Sequence, residues 1–215
     1  MMRYRQIIWD WNGTLLDDKD ICVDIMNRIL NRRALPPLSR EKYCSVFGFP
    51  VKDYYKRLGF DFRVEPFEDI SLEYIFAYQQ QCFQARLSEG ALGALESCRQ
   101  AGLSQIILSA TEQTFLEQQV AFFGIRHYFR ELLGLDNCHA AGKVELARAW
   151  MADKELDLST IILVGDTVHD YEVASAIGCA CVLLSTGHQS GARLKTLEVP
   201  VFDDFGQLEI FLEIS

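Results

Sequence analysis

A chain of 215 residues has room for one well-filled core and a smaller second module, and 49% hydrophobic with 24% charged residues is the balance of an ordinary globular protein, which excludes disorder as its main state. A formal net charge of -9, from 21 basic and 30 acidic residues, gives no long-range field that attracts nucleic acid or an anionic membrane, so an anionic ligand needs locally placed positive charge. The opening MMRYRQIIWDWN holds only a short apolar run broken by an aspartate, the pattern of neither a signal peptide nor a membrane span, and a cytoplasmic protein is expected.

The first predicted strand covers residues 6–9, a short apolar run of the kind buried on both faces of a sheet. From 17 to 86 the pattern changes to helical periodicity with no comparable strand. Ile21, Ile25, Met26, Ile29 and Leu30 form one amphipathic face, Pro36 and Pro37 break it, and Ser39 opens a second short helix. Pro50, Gly59 and Pro66 mark further turns, and residues 67–86 predict another helix or two. Tyr54, Tyr55 and the aromatics between Phe76 and Phe83 are expected in the core of this helical insert. Further strands are predicted at 105–108, 160–164, 179–184 and 199–202. Leu146, Ala147, Trp150 and Met151 precede the third run at helical spacing, and Tyr171, Val173, Ala174 and Ile177 follow it, with Gly178 as a stop. Alternating strands and helices predict a parallel, doubly wound sheet. The seven cysteines, Cys22, Cys44, Cys82, Cys98, Cys138, Cys179 and Cys181, form no C-x-x-C pair and read as reduced, mostly buried thiols.

In an open parallel sheet ligands sit beyond the carboxyl ends of the strands, which singles out Asp10, Ser109 and Asp166. Two carboxylates converging there repel each other and any phosphate unless a divalent cation neutralises them, and hard oxygen ligands suit magnesium. Asp10 heads Asp10-Trp11-Asn12-Gly13-Thr14, where Gly13 permits a sharp turn and Thr14 supplies a hydroxyl; alone, this is also the pattern of a strand-end turn with a capping aspartate. Gly165-Asp166-Thr167-Val168-His169-Asp170 follows an apolar strand, and alone it is also an N-capped helix with an acidic first turn. Between them, Ser109-Ala110-Thr111 ends a strand in hydroxyls and Gly142-Lys143 opens a helix. Nucleophile strand, hydroxyl strand, lysine and acidic strand in that order is an arrangement hard to obtain by accident. His169 and His188 are possible substrate contacts; neither has metal-ligand spacing to another histidine or cysteine, so no zinc site is expected.

With these segments in this order the chain resembles the haloacid dehalogenase superfamily over essentially its whole length, and its helical stretch resembles the small α-helical cap of phosphoglycolate-phosphatase-like members. The resemblance implies an α/β fold: a Rossmann-like, doubly wound parallel core made of residues 1–16 and 87–215, with a cap domain, 17–86, inserted after the first strand. It also implies a phosphatase acting on a small phosphorylated metabolite, with phosphoglycolate as the family-level example, and no nucleic-acid or membrane partner. Asp10 would be the nucleophile that forms an aspartyl phosphate, and Ser109 and Lys143 would bind the transferring phosphoryl group. Mg2+ would be held by Asp10, the backbone carbonyl of Asn12 and Asp166, with Asp170 in support. Gly13, Thr14 and Ala110 beside these groups, with Phe49 and Lys52 from the insert, complete the expected substrate-binding set.

Position 12 departs from that family's pattern, in which a second aspartate protonates the leaving oxygen and later activates water. The amide of Asn12 can do neither, and losing acid–base catalysis typically costs about two to four decades. Phosphates with good leaving groups, acyl or aryl, should suffer least. Two alternatives follow. A lysine of the insert, Lys52 or Lys56, takes over as in phosphonoacetaldehyde hydrolases, which also lack that aspartate; or the chain is a catalytically weak phosphate-binding module.

Overall fold

The computed structural model describes residues 3–136, 142–152 and 154–214; Cys138 lies outside them. Six parallel strands form the central sheet: β1 (Gln6–Trp9), β4 (Ser104–Glu112), β5 (Glu131–Leu135), β6 (Ile161–Gly165), β7 (Ala180–Leu184) and β8 (Val201–Phe202), in the order β5-β4-β1-β6-β7-β8. The chain therefore winds outward from β1 in both directions, and β1, hydrogen-bonded on each side, stands at the switch point where ligands of such sheets bind.

Alternation along the strands divides the core. Ile7, Trp9, Ile107, Ile162, Val164, Val182 and Leu184 pack on one face against α5 (Ala91–Gln100), α6 (Gln113–Phe122) and α10 (Phe205–Leu212). Ile8, Ile106, Leu108, Leu163 and Leu183 pack on the other against α7 (Lys143–Met151), α8 (Val168–Ile177) and the short α9 (Gly191–Leu194). The side chain of Gln105 bridges layers inside the first of these faces: its Oε1 accepts from Trp9 Nε1 at 3.0 Å and its Nε2 donates to the Leu95 carbonyl at 2.9 Å.

A third apolar cluster lies outside the sheet. It joins α1 (Lys19–Arg32), α2 (Arg40–Val46), α3 (Val51–Arg57) and α4 (Phe67–Gln81), with Ile25, Met26, Tyr43, Tyr54, Tyr55 and Ile70 at its centre. Ser39 caps α2 by accepting from the Lys42 amide, as its position before the helix suggests. Both ends of this helical stretch are tied together by a two-stranded antiparallel pair, β2 (Leu16–Asp17) with β3 (Arg86–Leu87).

The apolar runs at 6–9, 105–108, 160–164, 179–184 and 199–202 all fall on strands, although the last is reduced to Val201–Phe202. Edge strand β5 and the pair β2–β3 are not anticipated: both have half-exposed positions, and β5 is interrupted by Gly134, whose amide donates to the Gln113 side chain at 2.6 Å. Phe76 also differs from expectation, being 67% exposed on α4 rather than packed in the helical core.

Replacing Gln105 by Ala leaves the Trp9 indole N–H without its partner in a dry layer, while the Leu95 carbonyl keeps its place in the α5 helix. The expected cost is about 1–3 kcal/mol in urea unfolding, and a loss below about 0.5 kcal/mol, the size of a neutral surface change, would contradict this role.

Candidate active site

Asp10 follows β1 directly, its amide donating to the Val164 carbonyl of β6 at 2.9 Å. Its carboxylate is buried, and Oδ1 lies 2.5 Å from Nζ of Lys143, the first residue of α7. The same ammonium stands 2.5 Å from Oδ1 of Asp170. Burial, opposed by Lys143, lifts the Asp10 carboxyl above its usual range. Burial alone would lower the Lys143 ammonium, but the Asp10 and Asp170 carboxylates hold it above its usual value and so keep it charged.

Asp170 also closes the N-terminus of α8. Its Oδ2 accepts from the Thr167 amide at 3.0 Å, the Thr167 hydroxyl at 2.7 Å and the Asp166 amide at 3.2 Å, while Thr167 caps the helix in return. The capping pattern visible in the sequence and the charged cluster are thus one arrangement. Asp166, after β6, is fully buried and accepts from the Thr14 hydroxyl at 3.2 Å and the His188 amide at 2.5 Å. Burial raises its carboxyl too. The backbone must come close here: a Cβ on Gly13, which sits at φ +79°, would run into the Asp166 carboxylate and the His188 ring, and one on Gly165 would run into Asp170.

Carboxylate oxygens of Asp10, Asp166 and Asp170 lie within 4.8 Å of one another. Three carboxylates against the single ammonium of Lys143 leave two negative charges uncompensated in a buried place, and the donors are hard oxygens. The residues therefore fit a divalent cation of the magnesium type. The strand expected to end at Ser109 runs on to Glu112, and Ser109 lies inside β4 where its register against β5 shifts after Leu108; it is buried, and its Oγ accepts from the Thr111 amide at 3.0 Å.

The side chain of Asn12 is fully engaged. Its Oδ1 accepts from the Thr111 hydroxyl at 2.8 Å, and its Nδ2 donates to Asp18 Oδ2 at 2.8 Å and to the Tyr78 hydroxyl at 2.6 Å. Asp18, buried at the start of α1, also accepts from the Gly13 amide, from Tyr78 at 2.6 Å and from His188 Nε2 at 3.2 Å. The other ring nitrogen of His188 is 2.9 Å from the Tyr43 hydroxyl. Burial alone would lower the imidazole, but Asp18 pushes it up to about 9; burial likewise opposes, and His188 outweighs it in holding, an Asp18 carboxyl below its ordinary value. Next to it, Lys19 Nζ donates to the carbonyls of Thr186 and Gly187 at 2.6 and 3.0 Å, fixing the turn that carries His188. Asp18, Lys19 and Tyr78 were not marked by strand ends; the signal available was a second acidic pair, Asp17-Asp18, directly after the Gly13 turn. Cys22 Sγ lies 3.8 Å from Asp18, so Asp18, Cys22 and His188 form a group of mixed ligand atoms that linear spacing does not reveal.

These groups open into a cavity of about 370 Å³ between the strand ends and α2, α3 and α4. Asp10, Asn12, Ser109, Ala110, Lys143, Asp166 and Asp170 line it, and so does Phe49, whose ring lies tilted against that of His169 at 4.8 Å between ring centres. Gly13 and Thr14 lie behind the carboxylates and support them rather than face the cavity. Lys52 and Lys56 do not reach it. Lys52 is exposed with its ammonium 5.4 Å above the Phe67 ring, and Lys56 pairs with Asp53 at 2.8 Å, so neither is a desolvated lysine near Asn12.

The sequence model of the haloacid dehalogenase-like hydrolases matches residues 7–184, and the chain belongs to that family. Among its relatives, a phosphoglycolate phosphatase of Haemophilus influenzae is 25% identical over 96% of this chain and 97% of that one. A 5'-nucleotidase of Pseudomonas aeruginosa is 24% identical over 90% and 88%. The fold is shared with a haloacid dehalogenase-like hydrolase from Streptococcus pneumoniae (TM-score 0.81, 17% identity, 98% of this chain and 100% of that one) and with protein tyrosine kinase A of Mycobacterium tuberculosis (TM-score 0.81, 21% identity, 98% of both). Among the described residues no helix is long and apolar enough to cross a membrane.

The ion pair of His188 and Asp18 has a pH signature. Because the folded imidazole titrates near 9 and the free one near 6.5, its contribution is complete below about pH 6.5 and is lost as pH rises toward 9; that of Asp18 is present above about 3.8. Without added divalent cation, His188→Gln should therefore cost on the order of 2–4 kcal/mol more at pH 6 than at pH 9.5. Equal thermal shifts at the two pH values would refute the pairing.

Proposed function

We propose that the chain is a magnesium-dependent phosphatase that moves the phosphoryl group of a small phosphorylated metabolite first to Asp10 and then to water. The observation that carries this reading is the Lys143 ammonium shared at 2.5 Å by Asp10 and Asp170, with Asp166 beside them at the ends of β1 and β6. Asp10, Asp166 and the Asn12 backbone carbonyl, supported by Asp170, would hold Mg2+, which supplies the positive charge that lets an anionic nucleophile approach an anionic ester. A carboxylate oxygen of Asp10 attacks phosphorus as the ester oxygen departs. Lys143 and the Ser109 hydroxyl hold the non-bridging oxygens, where charge must be balanced throughout. Residues 17–86 act as a cap over the core of 1–16 and 87–215, excluding water and shaping the leaving-group site.

Asn12 shapes the kinetics. Bound to Thr111, Asp18 and Tyr78, it has no proton to give to the departing oxygen and cannot deprotonate water. Formation of the aspartyl phosphate then depends on the leaving group, and its hydrolysis is slow.

Asp10→Asn is expected to abolish phosphate release from every ester, as is removal of Mg2+ with a chelator. Acid-quenched wild-type protein should carry hydroxylamine-labile phosphate that Asp10→Asn lacks. A variant that still turns over at wild-type rate, or phosphate mapped to another residue, would sink the assignment.

Restoring an acid at position 12 requires relieving Asp18. Asn12→Asp alone sets a carboxylate where an amide now donates to Asp18, and the two repel. It should gain little on an alkyl phosphate, whereas Asn12→Asp with Asp18→Asn should gain about one to two decades in kcat, part of the usual acid–base contribution. Full recovery in the single variant would show that Asp18 imposes no restraint.

A further inference from the structure

The part of the cavity wall that α2, α3 and α4 supply is built largely from rings. Tyr43 and Phe47 stack at 5.0 Å, Tyr54 stands edge-on to both at 6.0 and 5.3 Å, and Tyr74 and Tyr78 of α4 lie parallel at 6.3 Å. Such surfaces bind flat apolar groups by area and by edge and face contacts. Charge on this side is unfavourable to a second anion. Lys143 is the sole lysine or arginine among the described lining residues and is held by two aspartates, while His188 is paired with Asp18. Asp18 and Glu68, by contrast, line the same chamber. A leaving group with its own carboxylate would lose its hydration there and meet carboxylates instead of cations.

A further observation narrows the class. The amide of Asn12, committed to three partners, leaves the departing oxygen without a proton donor of the usual kind. A phenol, with a pKa of about 10 like that of tyrosine, leaves as its anion far more readily than an aliphatic alcohol.

We infer that the substrate is the phosphate monoester of an aromatic alcohol, a ring of phenol type without a carboxylate near the phosphate. The inference rests on the phosphatase reading above and deepens it. In the reaction a bond forms between an Asp10 oxygen and phosphorus and the P–O(aryl) bond breaks, its electron pair leaving on the phenolate, which takes a proton from solvent. Water then cleaves the acyl phosphate and returns Asp10 and inorganic phosphate. The cavity of about 370 Å³ matches a phosphate with one ring or a small fused pair.

The test compares kcat/KM of the full chain with Mg2+ on three probes: phenyl phosphate, phosphoglycolate and acetyl phosphate. Acetyl phosphate has a good leaving group but no ring, so it separates leaving-group chemistry from ring binding. Phenyl phosphate is expected to exceed phosphoglycolate by about 100-fold or more and to exceed acetyl phosphate by about tenfold or more, the size of effect that burying one ring supplies. Asp10-dependent turnover in which phosphoglycolate equals or surpasses phenyl phosphate would overturn the aromatic class while leaving the phosphatase standing. Acetyl phosphate matching phenyl phosphate would also overturn it, by removing any part for the rings. No Asp10-dependent turnover of any of the three would remove the phosphatase reading itself.

Discussion

The ammonium of Lys143 has almost no access to water, and it lies 2.5 Å from a carboxylate oxygen of Asp10 and the same distance from one of Asp170. A buried charge of this kind is tolerable only when its partners are fixed in place; removing one member typically costs about 3–5 kcal/mol. The fold meets the condition from three separate elements. Strand β1 delivers Asp10, the first turn of α7 delivers Lys143, and Asp170 is held by the capping bonds that start α8. Correct closure of the sheet therefore assembles the charged cluster, and the cluster in turn binds α7 and α8 to the end of β1. Stability and chemistry share the same three side chains, so the site has little freedom to drift from the geometry in which Asp10 faces the cavity.

A second buried charge pair sits beside it. Asp18 and His188 neutralise each other between α1 and the loop after β7, and through Asn12 and the amide of Gly13 their position is coupled to the turn that carries Asp10. An asparagine at position 12 is the side chain that suits this neighbour: it donates to Asp18 where an aspartate would repel it, and it accepts from Thr111 in the same plane. The partner of Asn12 is a carboxylate six residues on rather than a lysine from the helical insert. Local electrostatics gives a reason for Asn12 that does not require the site to have decayed.

Much of the sheet and of the charged cluster was legible beforehand, for a physical reason. Strands buried on both faces must be continuous apolar runs, so 6–9 and 160–164 stand out, and the residues just beyond them are placed by the sheet itself. Lys143 was legible only through its order in the chain, since nothing local distinguishes a lysine at a helix start. Edge strand β5, with partly exposed residues and a glycine, carries a weaker pattern than the inner strands. The Asp18–His188 contact joins residues 170 apart in sequence, and linear spacing holds no trace of it. Lys52 shows the complementary failure: its position on the insert suggested reach, yet its ammonium sits over the Phe62 and Phe67 rings and does not line the cavity.

The cavity joins two opposite environments, and each alters the other. At one end are carboxylates and an ammonium; at the other, rings with few groups that hydrate an ion. Packing an apolar leaving group against those rings would exclude water from the charged end and so strengthen each interaction that Lys143 makes with a transferring phosphoryl group. In the proposed reaction the same dryness would work against the second half, because water would have to reach the acyl phosphate with no carboxylate at position 12 to activate it. Departure of the ring and refilling of the chamber by water would then become the step on which turnover waits. On this argument an apolar chamber and an asparagine beside the proposed nucleophile belong together: the chamber would favour a leaving group that needs no acid, and the missing base would make release of that group the gate for hydrolysis.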